Sequence, residues 1–115
     1  MCDAVSTQLV SYDLSGGVGV IRIDDGKVNA LSIALLGAID AALDRAQADG
    51  AAVLMVGRPG IFSAGFDLKE LMRDPATTCA LLRAGAELCV RMLGFPRPIV
   101  TVCTGHAYPM GAFLM

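Results

Sequence analysis

Short apolar runs alternate along the chain with longer stretches in which apolar residues recur every three or four positions. Val18–Ile23, Ala52–Val56 and residues 99–103 are short, mostly apolar runs, and each predicts a strand. Residues 8–14 alternate loosely, and the Ser15-Gly16-Gly17 that follows predicts a hairpin turn into the next strand. Ala52–Val56 is apolar throughout, so we expect that strand to be covered on both faces.

Helical spacing predicts a long helix over residues 32–48, ended by Gly50. The same spacing predicts a short helix to about residue 72 and a second long helix over residues 76–93, which ends at a glycine and a proline. The short helix is indicated by Leu68, Leu71 and Met72, which recur at helical spacing. The expected buried residues of the two long helices are Leu35, Leu36, Ile39, Ala42, Leu43 and Ala46 in the first, and Leu81, Leu82, Leu88, Cys89 and Met92 in the second. The order ββαβααβ, with a final apolar helix start, indicates an α/β fold.

Composition indicates one compact domain. The chain has 115 residues, of which 55% are hydrophobic and 17% charged, so it can bury a modest core and is not expected to be disordered. A formal net charge of −2 provides no basic stripe for nucleic acid. No apolar run approaches the roughly 18 residues that a membrane-spanning helix requires.

The cysteines suggest a reducing compartment. Four are scattered without a C-x-x-C pair, and the chain has one histidine, so we expect neither disulfides nor a metal site. We interpret them as reduced thiols of a cytoplasmic protein, three of them filling the core. Residues 1–8 have neither a basic start nor an apolar segment, and no signal peptide is predicted there.

The stretch Ile61-Phe62-Ser63-Ala64-Gly65-Phe66-Asp67-Leu68-Lys69-Glu70 takes the chain from a strand through a bend into a helix. Such a bend aims unpartnered N–H groups at one point, and Gly65 can adopt a positive φ that lets a ligand approach the main chain. One interpretation is an anion or oxyanion site made of backbone N–H groups. The other is an ordinary strand–helix connection in which Asp67 caps the helix.

Three short sequences resemble those of the crotonase (enoyl-CoA hydratase/isomerase) superfamily: Ser63-Ala64-Gly65-Phe66-Asp67-Leu68, Asn29-Ala30-Leu31, and the turn from Gly105 to Gly111. The resemblance covers essentially the whole chain. It implies a crotonase-like spiral of ββα units, incomplete in this chain. Residues 1–115 would then be the N-terminal part of an acyl-CoA-binding domain, with the rest of that domain and a C-terminal helical segment absent.

The resemblance also implies site residues. The backbone N–H groups of Phe66 and Met110 would form an oxyanion hole for the thioester carbonyl, with Gly111 opening a helix beside it. The remaining substrate-binding residues would be Ser63, Ala64, Gly65, Asp67 and Leu68 along the adenine and pantetheine path, and Lys27, Val28 and Ala30 in an outer loop.

Two residues depart from the family pattern. Met110 stands at a glycine position, where its side chain is expected to crowd the site, and Phe113 stands where many hydratases carry a glutamate. Three functions therefore stay open: a hydratase-like or isomerase-like enzyme whose base lies outside this chain, a non-catalytic acyl-CoA-binding protein, or a structural fragment without a ligand. His106 could be a general base or a structural residue.

The resemblance implies a coenzyme A thioester as substrate and no other cofactor. It also implies a homo-oligomer, a trimer or hexamer, when the protein is full length. Members of the family are about twice as long as this chain, which leaves two alternatives: a truncated product or part of a longer protein.

Overall fold

A computed structural model describes residues 8–115. Residues 1–7 lie outside it, and with them Cys2 and nearly all of the segment considered for a signal peptide. The described residues form eight strands and four helices. In chain order these are β1 (Val10–Ser15), β2 (Val18–Ile23), β3 (Ala30–Leu31), α1 (Ile33–Ala48), β4 (Ala52–Val56), β5 (Gly60–Ser63), β6 (Gly65–Phe66), α2 (Leu68–Leu71), α3 (Pro75–Leu93), β7 (Ile99–Val102), β8 (Gly105–Ala107) and α4 (Pro109–Phe113).

The main sheet has the order β1-β2-β4-β7. β1 and β2 form the predicted antiparallel hairpin, in which Ser15 pairs with Val18. The two residues between them, Gly16 and Gly17, have φ values of 57° and 80°, as tight hairpin turns require. β2, β4 and β7 run parallel, so their carboxyl ends meet at one edge of the sheet.

Helix α1 covers one face of this sheet. The six apolar residues that the helical spacing selected, Leu35 to Ala46, are all buried, which confirms that prediction. Ser32 caps the helix by accepting a hydrogen bond from the N–H of Leu35 at 3.0 Å. Gly50 follows the last turn with a φ of 63°, the left-handed conformation common after helix ends.

The other face of the sheet is open, so the prediction that β4 is covered on both faces is wrong for residues 8–115. Val53 and Met55 are buried beneath α1, whereas Leu54 and Val56 on the opposite face are half-buried. On β7 beside them, Val100 is 58% exposed. Periodicity predicted a buried strand but could not show which layer would cover its second face.

α2 confirms the predicted short helix. It has only one turn and lies on the surface, so Leu68 and Met72 are 67% and 81% exposed. One prediction for the next helix needs correction. In α3, Leu81 and Leu88 are buried as predicted, but Leu82 is 47% exposed, because it lies one residue beyond the helix face that packs on the core.

The cysteines do not fill the core as expected. Cys79 and Cys103 are exposed, and Cys89 is half-buried against the core. Burial raises the pKa of the Cys89 thiol, which favours the protonated thiol over the thiolate.

Four strands were not predicted from the sequence: β3, β5, β6 and β8. They form two parallel pairs, β3 with β6 and β5 with β8. Each has two to four residues, too few for a period of two to be visible in the sequence. These pairs carry the loops that the resemblance marked as functional. No helix within residues 8–115 has the length and apolar character needed to span a membrane.

Candidate functional site

Three bends of the chain meet at Ser63, which is 1% exposed. Its hydroxyl donates to the carbonyl oxygen of Asn29 at 2.8 Å and accepts from the N–H of Gly65 at 3.1 Å. Its carbonyl oxygen accepts from the N–H of Tyr108 at 3.0 Å. One buried residue therefore links the loop before β3, the bend before β6 and the turn before α4. Because the hydroxyl is used internally, Ser63 supports the site through its neighbours.

Asn29 anchors the first of these bends. It is fully buried and is the one non-glycine residue within residues 8–115 with a positive φ, at 52°. Its side-chain amide donates to the carbonyl oxygens of Ile23 at 2.9 Å and Phe62 at 3.1 Å, and its Oδ1 accepts from the N–H of Asp25 at 2.9 Å. Asparagine tolerates this left-handed conformation better than most residues, which explains its presence here.

The outer loop is held by the carboxylate of Asp25. That carboxylate accepts hydrogen bonds from the N–H groups of Lys27 at 2.7 Å, Asn29 at 2.9 Å and Ala30 at 3.2 Å. Lys27 and Val28 are exposed, and Ala30 is half-buried in β3. The loop backbone is thus fixed from within, and the Lys27 side chain is presented to solvent.

The second bend turns at Gly65, which has the predicted positive φ, at 89°. After it, the N–H of Asp67 donates to the carbonyl oxygen of Leu31 on β3 at 3.0 Å. Consecutive N–H groups of an extended strand point to opposite edges, so the N–H of Phe66 points away from β3. Within residues 8–115 no other strand pairs on that edge of β6.

The third bend leads into α4 and approaches Gly65 closely. A Cβ atom at Gly65 would lie 3.7 Å from the backbone nitrogen of Met110 and 3.7 Å from the carbonyl oxygen of Tyr108. Among the described residues, the N–H of Met110 donates to no protein acceptor, as is usual in the first turn of a helix. The bends before β6 and α4 therefore place the unpartnered N–H of Met110 beside the backbone of Gly65, which has no side chain.

The sequence predicted that the Met110 side chain would crowd the site, but the structure directs it into the core. The residue is 7% exposed, and its methyl group lies beside Gly85 of α3 together with the Phe66 ring. Its φ is not positive, so methionine at this position causes no backbone strain.

Gly111 lets α4 approach β5. A Cβ atom at Gly111 would lie 2.7 Å from the Cβ of Ser63 and 2.9 Å from its carbonyl oxygen, closer than a real Cβ tolerates. Only glycine fits there without movement of the backbone, so Gly111 fixes the depth at which the start of α4 lies.

The two carboxylates near the bend are engaged by helix starts. Asp67 Oδ1 accepts from the N–H groups of Lys69 at 2.9 Å and Glu70 at 3.2 Å, which confirms its predicted capping role. Glu70 Oε1 accepts from the N–H of Ile33 at 2.8 Å and so caps α1. Ala64 beside them is half-buried.

His106 and Phe113 lie at the surface. The His106 ring stacks on Tyr108, with ring centroids 5.8 Å apart and planes 10° from parallel, which favours its structural interpretation. Phe113 is 73% exposed and provides no acid or base. Within residues 8–115, no three histidine, cysteine, aspartate or glutamate side chains are grouped to hold a metal ion.

Sequence reasoning did not identify the linking roles of Asn29 and Ser63, or the contact at Gly85. For Asn29 a signal existed, because asparagine in a polar loop is a candidate for positive φ. For Ser63 and Gly85 none did, since their partners lie tens of residues away along the chain.

The chain is similar to known proteins in sequence and in structure. Residues 13–115 match the family described as Enoyl-CoA hydratase/isomerase. A solved enoyl-CoA hydratase/isomerase family protein from Pseudomonas syringae superposes with a TM-score of 0.90 at 45% identity, covering 92% of this chain and 46% of that one. The apo structure of an enoyl-CoA isomerase from Mycobacterium tuberculosis gives a TM-score of 0.88 at 47% identity, covering 92% of this chain and 46% of its own.

Among curated relatives, the human mitochondrial enoyl-CoA delta isomerase 1 is 33% identical over 111 residues, which is 93% of this chain and 36% of the human protein. The chain thus spans about a third of this relative and less than half of the two solved structures.

Proposed function

The chain belongs to the enoyl-CoA hydratase/isomerase family, the crotonase superfamily, and from this premise we propose that its residues hold the thioester carbonyl of an acyl-CoA between two backbone N–H groups. The crotonase-like α/β fold, present here in part, is confirmed. The two donors of the proposed oxyanion hole are the N–H groups of Phe66 and Met110.

One observation carries the proposal: the 3.7 Å approach of the Met110 nitrogen to the Cβ position of Gly65, the residue before Phe66. Glycine leaves this approach free of side-chain atoms. The Phe66 N–H points away from β3, and the Met110 N–H has no acceptor among the described residues. Both donors are thus available to an oxygen placed beside the Gly65 bend.

Two such donors favour chemistry at the carbon next to the carbonyl. When a base removes a proton from that carbon, negative charge collects on the thioester oxygen, and fixed N–H donors stabilise this enolate more than the neutral thioester. Loss of one donor in comparable sites costs about 3 kcal/mol of transition-state stabilisation. Because the donors belong to the main chain, the bulk of the Phe66 and Met110 side chains does not interfere with this role.

The coenzyme A part would follow the surface between the outer loop and the start of α2. Ala64, Asp67 and the exposed Leu68 would line the adenine and pantetheine path. Lys27 would meet a phosphate or the adenine from an outer loop whose backbone Asp25 already holds. Val28 and Ala30 complete the loop, and Val28 is tied to the bend through its carbonyl oxygen, which accepts from the N–H of Ala64 at 2.9 Å.

For the reaction we favour double-bond isomerisation of an enoyl-CoA over hydration. Phe113 stands at the position where many hydratases carry a glutamate, as the resemblance implies, and α4 offers no carboxylate. The acid or base would have to come from residues outside 1–115. For a full-length protein we expect a cytoplasmic homo-oligomer, a trimer or hexamer, with no cofactor besides the coenzyme A of its substrate.

A non-catalytic acyl-CoA-binding protein is the second candidate, and Phe113 is the observation that favours it. A protein of this kind would use the same two N–H groups to hold the thioester and would lack the base.

Kinetic assays beside a calorimetric titration separate the two candidates. The full-length protein is offered a 3-enoyl-CoA and a 2-enoyl-CoA in coupled assays and is titrated with saturated butyryl-CoA. We expect isomerisation of the 3-enoyl-CoA, little hydration, and measurable heat with butyryl-CoA. Heat without turnover of either substrate would favour the binding protein, and the absence of heat with any acyl-CoA would refute both.

A further inference from the structure

The side chains of the two proposed donor residues meet at one point of α3. A Cβ atom at Gly85 would lie 2.7 Å from Cζ and 2.8 Å from Cε1 of Phe66, and 2.9 Å from Cε of Met110. Gly85 is buried in the middle of α3. Because Gly85 has no side chain, the Phe66 ring and the Met110 methyl group both extend into the space beside it.

α3 cannot easily move away from this contact. Leu81 and Leu88, one helical turn before and after Gly85 on the same face, are 0% and 3% exposed. Farther along, Arg91 donates to the carbonyl oxygen of Asp40 on α1 at 3.1 Å and to its carboxylate at 2.8 Å. A side chain added at position 85 would therefore displace Phe66 and Met110 before it displaced the helix.

We propose that Gly85 is a positioning residue that sets the separation of the Phe66 and Met110 N–H groups. This inference depends on the proposed function, because it assigns a consequence to the oxyanion hole. The flexible Met110 side chain can move its methyl group aside at little cost, whereas the rigid Phe66 ring must shift as a unit. The Phe66 donor is the one that a larger residue at position 85 would misplace.

Gly85→Ala in the full-length protein is the test. Misplacement of a reacting group by about 1 Å can cost about 100-fold in rate, so we expect kcat to fall by about tenfold or more. The KM for the acyl-CoA should stay within about twofold, because the atoms nearest to a Cβ at Gly85 belong to Phe66 and Met110 and none of them to the outer loop. Gly37→Ala in α1 is the matched control, since a Cβ there would meet nothing within 4 Å, and it should leave kcat and KM unchanged.

A rescue experiment distinguishes positioning from general loss of stability. In a protein that already carries Phe66→Leu, adding Gly85→Ala should lower kcat much less than it does in the unmodified protein, because leucine leaves room for the new methyl group. This comparison needs only Phe66→Leu and the double variant, so it can be made even if Gly85→Ala alone does not fold.

An unchanged kcat in Gly85→Ala would overturn the inference, and so would a double variant whose loss is the product of the two single losses. If the unmodified protein binds no acyl-CoA, the proposed function fails and the inference fails with it. If the unmodified protein is active and Gly85→Ala retains full activity, only the inference fails.

Discussion

Two regions of the molecule differ in how completely their polar groups are hydrogen-bonded and their apolar side chains are covered. The three-bend cluster, defined by Asn29, Ser63, Gly65, Tyr108 and Gly111, is joined by hydrogen bonds of the buried Ser63 to Asn29, Gly65 and Tyr108, and by the close packing of Gly111 on Ser63. The open face of the main sheet, defined by Leu54, Val56, Val100 and Val102, presents apolar side chains that are half-buried or exposed within residues 8–115. The backbone framework of the proposed site therefore lies within this chain. The main sheet, by contrast, is covered on one face only in the described part of the chain, by α1.

The difference indicates that the geometry of the three bends does not depend on the open face. Buried hydrogen bonds are costly to break, because each lost partner leaves a desolvated polar group. Exposed apolar residues contribute little to folding where they stand, but they favour association. Substitutions in the cluster should thus be destabilising, whereas substitutions on the open face should change association.

The largest effect is expected from Asn29→Ala. It removes three hydrogen bonds, two of them to the buried carbonyl oxygens of Ile23 and Phe62, and keeps a non-glycine residue at positive φ. We expect a loss of about 3 kcal/mol or more in the free energy of unfolding, measured by urea denaturation. Lys27→Ala, in the same loop but exposed, is the control and should cost under about 0.5 kcal/mol. A loss below about 1 kcal/mol in Asn29→Ala would mean that the cluster contributes little.

Gly111→Ala should have the next largest effect. Its new Cβ would be forced against the Cβ of Ser63, and overpacking of this kind costs about 1–3 kcal/mol. Gly37→Ala is again the control and should stabilise the protein by up to about 1 kcal/mol, because alanine is the better helix former. Equal stabilities for the two variants in the same urea experiment would contradict the close approach of α4 to β5.

On the open face, the double variant Val100→Thr/Val102→Thr should change the free energy of unfolding by less than about 0.5 kcal/mol. The 115-residue chain by itself is expected to self-associate, and the variant should do so less, as sedimentation velocity would show. Val53→Thr on the covered face is the matched control and should be clearly destabilising. Unchanged association in the double variant, or a 115-residue chain that is monodisperse and unfolds cooperatively, would refute this assignment.

The smallest effect lies outside both regions, at Asp74, which caps α3. Its carboxylate accepts from the N–H of Thr77 at 2.7 Å, and this hydrogen bond lowers the pKa of Asp74 below its ordinary value of 3.8. The capping contribution is therefore full above that value and is lost as the pH falls through the lowered pKa of the folded state. The stability difference between the protein and Asp74→Asn should shift in favour of the variant under acid conditions. A difference that does not vary with pH would contradict the assignment.

Much of the fold followed from the sequence because the pattern is local. The six buried residues of α1 recur at helical spacing, and the bounds of β2 and β4 coincide with apolar runs. The positive φ of Gly65 and the cap at Asp67 also followed, since each depends on one residue and its neighbours.

What did not follow depends on partners that are distant in sequence. The short strands β3, β5, β6 and β8 exist because the three bends pair with one another, and no periodicity marks strands of this length. The direction of the Met110 side chain depends on the space left by Gly85, 25 positions earlier in the chain. That the second face of β4 is open within residues 8–115 could not be read from its apolar sequence either, because that face depends on other elements and not on the strand itself.

The central proposal, that the N–H groups of Phe66 and Met110 converge on one carbonyl oxygen, is tested most directly by a crystal structure of the full-length protein with an unreactive acyl-CoA. We expect the thioester oxygen to lie about 2.7–3.1 Å from both nitrogens, the range for oxyanion-hole donors. A bound acyl-CoA whose carbonyl oxygen contacts neither nitrogen, or these two N–H groups facing apart in that complex, would contradict the proposal.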